Sequence, residues 1–335
     1  MKLNEDYQNL LEELKLLTQY KISLTELQEE LEVSEEQILG LISILKHNGT
    51  NIVMVKEEDD IYFLNQGERT YKQDYTYNFN TDETNKIKFL ILSDLRLGSK
   101  FSQQSILNEL YINAYNEGIR NVLIIGNITE GLYSMSDNMI ETLIAPSSIS
   151  QIEYVTKHFP ELEGMKTYFI TGKKDKTHLV KNKIDIGKQI SSKRNDLIYI
   201  GNGRCNIKVD NVNILATSRN TTKPYTQSYR TQKMIDAMRS EDKPDLILYG
   251  GLLQSEKFVY RDVKVITIPS VCASTWEMED KEYSNTVGAW LLELETDKKG
   301  KLKTYKTCDN IYYQTIDNDY EKAKILKRGI KNGLQ

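Results

Sequence analysis

Hydrophobic positions change their period along the chain. Leu10, Leu11, Leu14, Leu17 and Tyr20 recur at helical spacing over residues 7–20. Ser23 with Glu26 three residues on predicts a capped short helix whose apolar face is Leu24, Leu27 and Leu31. Ser34 predicts the start of a third helix, with Ile38, Leu41, Ile42 and Leu45 inward and Asn48-Gly49 as its stop. Two alternating runs, 51–55 and 61–64, flank an acidic tip over Lys56–Asp60 and predict a hairpin. Residues 67–85 are polar, carry Tyr71, Tyr75, Tyr77 and Asp82, and read as a linker. From Lys86 onward, short apolar runs alternate with helical segments. Strands are expected at 87–92, 122–125, 167–170, 197–201, 206–209, 212–217, 246–249, 263–268, 289–295 and 302–307, and helices at 102–117 and 147–158. That mixture predicts an α/β sandwich of mixed sheets over 86–318, with functional loops at the carboxyl ends of strands. A basic tail over 319–335 follows, with Ala323, Leu326 and Ile330 on one helical side.

The order helix, helix–short turn–helix, hairpin over residues 1–66 resembles a winged helix-turn-helix domain. The resemblance implies a DNA-reading helix beginning at Ser34, with Glu35, Gln37 and Lys46 as its candidate contacts. Charge pulls the other way. Residues 1–75 hold 7 Lys+Arg against 16 Asp+Glu, although the whole chain is only -4. An acidic module is repelled by phosphates, so a winged helix used for protein contacts or dimerisation stands beside the DNA reading.

The candidate chemistry lies in four strand-end loops. These are Ser93-Asp94-Leu95-Arg96-Leu97-Gly98, Gly126-Asn127, Gly172-Lys173-Lys174-Asp175 and Gly250-Gly251-Leu252-Leu253, with Ser218 closing another strand. Their order and context are similar to the calcineurin-like metallophosphoesterase superfamily over about residues 86–296, including bacterial and phage members and DNA-repair nucleases. Ser228-Tyr229-Arg230-Thr231-Gln232-Lys233 and Ile268-Pro269-Ser270 add to the likeness. The resemblance implies a four-layer sandwich in which two metal ions clamp a phosphate and activate water. It also implies Asp-x-His, Gly-Asp, Gly-Asn-His-Asp and Gly-His-x-His at these loops. Arg96, Asn127, Lys173, Lys174, Ser218, Gly251 and Leu253 stand where ligands or catalytic groups are expected. Asp94 persists, and so does Asp175, which the resemblance gives a supporting role.

These replacements predict a catalytically inactive phosphoesterase scaffold with no metal and no other cofactor. Arg96, Lys173 and Lys174 bring positive charge where metals would have supplied it. Two readings follow: the cations form internal ion pairs, or they bind an anion such as a phosphate or DNA backbone. The expected function is binding, as a DNA-associated regulator or scaffold in bacterial or phage replication, repair or transcription. The alternatives are a protein–protein scaffold, with a homodimer among the candidate assemblies, and a residual metal-dependent phosphodiesterase using Asp94, Asn127 and Asp175.

Composition narrows the remainder. With 39% hydrophobic and 27% charged residues, the chain has the profile of a globular cytoplasmic protein without a membrane partner. Cys205, Cys272 and Cys308 form an odd, dispersed set, which reads as buried thiols rather than a disulfide framework. The histidines, His47, His158 and His178, match none of the expected motif positions.

Overall fold

The computed structural model describes residues 5–18, 22–48, 50–57, 60–68, 75–133, 138–218, 227–280, 284–312 and 314–327. Tyr20, Gly49, Glu58 and Asp59 of the hairpin tip, Tyr71, Arg328, Ile330 and Lys331 lie outside them. The chain divides into two units, residues 1–73 and 74–335.

The first unit follows the apolar pattern closely. Helix α1 (Glu5–Leu17), strand β1 (Ile22–Ser23), helices α2 (Leu24–Leu31) and α3 (Glu35–His47), and hairpin strands β2 (Thr50–Glu57) and β3 (Asp60–Glu68) enclose Leu14, Leu27, Ile38, Leu41 and Phe63. The sheet runs β1-β3-β2 with antiparallel pairing. Reciprocal bonds cap both inner helices: Glu26 N donates to Ser23 Oγ at 3.1 Å and Ser23 N to Glu26 Oε2 at 2.8 Å. Ser34 N likewise donates to Gln37 Oε1 at 2.9 Å.

The second unit is a four-layer α/β sandwich. Its elements are β4 (Thr76–Phe79), β5 (Lys86–Leu92), α4 (Gln104–Asn116), β6 (Asn121–Ile125), α5 (Ser148–His158), β7 (Lys166–Thr171), α6 (Lys173–Asn182), α7 (Ile186–Lys193), β8 (Leu197–Asn202), β9 (Arg204–Val209), β10 (Val212–Ser218), α8 (Gln227–Asp236), β11 (Leu246–Gly250), β12 (Glu256–Tyr260), β13 (Val263–Thr267), α9 (Trp276–Asp280), β14 (Val287–Thr296), β15 (Leu302–Tyr312) and α10 (Asp319–Lys322). One six-stranded sheet has the order β15-β14-β5-β6-β7-β8, and the other β12-β13-β11-β10-β9-β4. Phe89, Ile91, Leu123, Ile125 and Ile170 of the first sheet face Ile207, Ile214, Ala216, Leu248 and Ile266 of the second across the inner core. The outer face of the first sheet packs on Leu107 and Leu110 of α4, Val155 of α5 and Ile190 of α7, and that of the second on Ile235 of α8. These buried strands read as continuous apolar runs because both of their faces are covered.

Several expectations change on contact with the fold. Thr76–Phe79, within the stretch read as linker, pairs in parallel with β9 and buries Phe79. Cys308 is exposed on β15, whereas Cys205 and Cys272 are buried. The tail docks: Asp319 accepts from Ser105 N at 2.6 Å, Leu326 packs on the core, and Leu326 O accepts from Glu161 N at 3.0 Å. Among the described residues no helix is long and apolar enough to cross a membrane.

The two sheets approach most closely at their strand ends, where side-chain size sets the limit. A Cβ on Gly250 would lie 1.8 Å from Ile125 O. Gly250→Ala is therefore expected to cost about 3 kcal/mol, the upper range for overpacking, read as a lower urea midpoint; a change below about 0.5 kcal/mol, ordinary for an uncritical site, would show the approach to be soft.

Candidate functional site

Strands β5, β6 and β7 of one sheet and β10 and β11 of the other end at a common place. Gly126 and Gly172 allow the approach: a Cβ on Gly126 would lie 2.0 Å from Ser218 Oγ, and one on Gly172 2.3 Å from Asn127 Oδ1. The turns leaving β5 and β6 put Asp94, Arg96 and Asn127 in the left-handed region, with φ of 49°, 48° and 50°. Such a conformation is unfavourable for residues other than glycine, so surrounding bonds must hold it. Asp94 N donates to Gly126 O at 3.0 Å and Arg96 N to Asn127 O at 3.1 Å, tying one loop to the next.

Asp94 is buried and its oxygens are already engaged. Asn127 Nδ2 donates to Oδ1 at 2.7 Å, and Ser93 Oγ lies 2.9 Å from Oδ2. Asn127 Oδ1 in turn accepts from Lys174 N at 2.9 Å. Gly251 N donates to Ser93 Oγ at 3.2 Å, so the fourth loop also closes on this centre. Leu253 turns into a small apolar cluster with Cys272 and Met278, far from the role of a ligand.

Arg96 and Lys174 both turn toward Glu130, which is buried. Lys174 Nζ lies 3.1 Å and Arg96 Nη1 3.7 Å from Glu130 Oε1, and Arg96 Nε lies 3.9 Å from Asp94 Oδ1. Tyr133 donates its hydroxyl to Glu130 Oε1, and Lys174 Nζ reaches Tyr133 OH at 2.6 Å. Burial works to lower the Arg96 pKa, but Glu130 and Asp94 outweigh it and hold the guanidinium charged. Among the described residues, Arg96 Nε and Nη1 and Glu130 Oε2 make no hydrogen bond, so their stabilisation is by charge proximity. Two carboxylates and two cations thus share one desolvated space. Lys173, next to Lys174, is exposed at the start of α6.

A second buried network lies beneath. Asp175 accepts from Gly172 N at 2.7 Å, Thr129 N at 2.9 Å, Thr129 Oγ1 at 2.7 Å and Ile128 N at 3.2 Å. Its carboxylate clamps the loops after β6 and β7 together. His178 is buried in α6 rather than standing in a surface loop, as the sequence reading had it. Its ring bridges Ser148 Oγ at 2.9 Å and Thr129 Oγ1 at 3.2 Å, and Asn182 Nδ2 donates to Ser148 Oγ at 2.9 Å. Because Thr129 uses its proton on Asp175, the donors align in one direction. Asn182 donates to Ser148, Ser148 to His178 Nδ1, and His178 Nε2–H to Thr129, which assigns the Nε2–H tautomer from the bonding pattern.

The residues do not fit a two-metal centre. Asp94 is saturated by neutral donors, Asn127 presents an amide, and a guanidinium shares the space a cation would need. Among the described residues, no group of three His, Cys, Asp or Glu side chains could hold a metal ion. Glu130, Tyr133, Ser93 and Thr129 were missed in the sequence reading. An acid three residues beyond Asn127, facing two unexpected cations, was the available signal. In the small unit, Ser34 and Gln37 are committed to capping α3, and Glu35 and Lys46 are exposed at its two ends.

No protein-family model matches the chain, and no curated protein does. Solved structures to which it is similar include an archaeal phosphodiesterase, at 12% identity and a TM-score of 0.37, covering 67% of this chain and 100% of that one. A predicted phosphoesterase from Streptococcus pneumoniae is 12% identical with a TM-score of 0.32, covering 67% and 98%. Vps29 from Entamoeba histolytica, complexed with zinc, is 13% identical with a TM-score of 0.32, covering 67% and 99%. At those values the likeness carries nothing about this chain's chemistry. The four-layer description stands on strand order and packing.

The two buried networks generate separate predictions. Glu130→Gln strands two cations and is expected to cost about 3–5 kcal/mol in urea unfolding, whereas the apolar set Arg96→Met, Glu130→Leu and Lys174→Met stays near wild type. Equal loss in both would mean the cluster is held by shape rather than charge.

Burial pushes the Asp175 carboxyl up to about 6 from 3.8 and pulls the His178 imidazole down to about 4 from 6.5. For Asp175, the raised value means stability is full below pH 3.8 and lost as pH rises through about 6. For His178, the depressed value means stability is full above pH 6.5 and lost as pH falls through about 4. The slopes oppose each other across pH 4–6. Relative to wild type, His178→Gln should gain stability on acidification across this window, and Asp175→Asn should lose it. Each slope is at most about 1.4 kcal/mol per pH unit. Parallel curves for all three proteins would refute the assignment.

Proposed function

We propose that the protein acts by binding rather than by hydrolysis, as a DNA-associated regulator or scaffold built on a phosphoesterase-type sandwich. The observation that carries this reading is the Arg96–Glu130–Lys174 cluster at the strand ends, with Asp94 bound to Asn127 beside it. A phosphodiester needs a nucleophile and positive charge that strengthens its hold as the transition state forms. Here the buried cations are already spent on carboxylates. Lys173 remains exposed and is the member of the cationic set suited to an anion such as a DNA phosphate. The first unit's α2–turn–α3 order followed by the β2–β3 hairpin supports a winged helix-turn-helix reading, in which α3 would enter a groove.

A protein-interaction scaffold is the second reading, and surface chemistry favours it at α3 and the hairpin. Glu35 and Glu36 are exposed at the start of α3, and Leu39, Met54 and Val55 are exposed apolar side chains of the same unit. Acidic surface repels phosphates but suits a basic or apolar protein partner.

Two measurements separate these outcomes. Purified full-length protein with millimolar Mn²⁺ or Zn²⁺ should show no turnover of bis(p-nitrophenyl) phosphate above buffer; metal-dependent turnover abolished by Asp94→Ala would restore the hydrolase. Gel shifts on duplex and single-stranded DNA should show binding that weakens with salt, roughly as the number of phosphates neutralised. A stoichiometric protein complex without any DNA shift would select the scaffold.

A further inference from the structure

The surface of α6 carries chemistry that the strand-end cluster does not use. Its inner positions are polar: Asp175 and His178 are buried in the hydrogen-bond network described above. Its apolar residues point the other way. Val180 is 71% and Leu179 40% exposed, an inversion of the usual amphipathic pattern. Ile149, 63% exposed, follows Ser148, the residue that both His178 and Asn182 hold at 2.9 Å. Those two bonds set the first turn of α5 against the last turn of α6, so Ile149 belongs to the same stretch of surface. Single exposed apolar residues are ordinary, but three long ones on two abutting helix ends form a patch.

The charge around that patch has one sign. Lys173, Lys176, Lys181 and Lys183 are all exposed on α6 or at its C-terminal cap, and the acid of the helix, Asp175, is buried. Lys181 Nζ also bonds Leu132 O at 3.1 Å, which keeps its charge at the rim. A nucleic-acid phosphate would be attracted to the lysines but gains nothing from Val180, Leu179 and Ile149. An acidic protein segment with apolar side chains on one face would engage both features, burying the apolar residues while its carboxylates meet the lysines.

We propose that the outer face of α6, with Ile149 of α5, is a docking surface for an acidic amphipathic segment of a partner protein. The surface is independent of whether the strand-end cluster hydrolyses anything.

The test uses full-length protein and a fluorescein-labelled 18-residue peptide with leucines at helical spacing and glutamates elsewhere, read by fluorescence anisotropy. Binding at micromolar peptide is expected, weakened about tenfold or more by Val180→Glu or Ile149→Glu, as for a buried anchor. The milder Val180→Ser should weaken it by a smaller factor and guards against misfolding, which unchanged thermal melting of each variant also checks. Lys173→Glu with Lys183→Glu should weaken binding and flatten its salt dependence. Three results overturn the proposal: no binding, equal binding of a peptide whose leucines are serines, or binding confined to a 20-nucleotide single strand and lost with the lysines but not with Val180.

Discussion

Glu130 is the side chain on which the strand-end region of this molecule depends. Removing a guanidinium and an ammonium from water is costly, and an uncompensated buried charge is costlier than most single defects a fold carries. Arg96 and Lys174 are tolerated there because one carboxylate faces both and a second, Asp94, stands beside Arg96. Once that balance exists, the loops after β5, β6 and β7 have a fixed arrangement. Asn127 can then bond Asp94 through its amide nitrogen and Lys174 N through its oxygen.

This arrangement separates architecture from chemistry. The inner core of Phe89, Ile91, Leu123, Ile214 and Leu248 holds the sheets together without reference to what the loops contain. The loops need something to hold their turns in place. Charge pairing among protein side chains performs that task here, and Asp175 adds the clamp beneath with donors from two loops. A site closed in this way has few atoms left with which to polarise a substrate.

Much of the framework was legible in the residues. Continuous apolar runs such as Phe89–Leu92 and Val122–Ile125 marked buried strands, and the Ser23/Glu26 pair marked a helix start, because those signals are local. Helix α6 was not read, since its buried positions are an aspartate and a histidine while its apolar residues face water, the reverse of the pattern that periodicity detects. Strand β12 was missed for a related reason: Glu256–Tyr260 is an edge strand with little apolar burial. At the site, Asp94, Arg96, Asn127 and Lys174 were identified and converge. Glu130 was not identified, because an ion pair between loops 34 residues apart (96 and 130) leaves no spacing signal. Lys173 and Lys174 look alike in sequence, yet one is exposed and the other turns inward, a difference set by the helical rotation between neighbours.

The left-handed backbone at Asp94, Arg96 and Asn127 has a consequence of its own. Glycine adopts that conformation freely, whereas other residues are disfavoured by about 1 kcal/mol or more. At these positions the chain carries an aspartate, an arginine and an asparagine. Exchanging any one for glycine would release strain and delete a side chain in the same step, so the resulting change in stability is a net quantity. Its sign reports whether the polar network outweighs the distortion it imposes. The three turns are thus internal balances, each weighing local geometry against one member of the cluster.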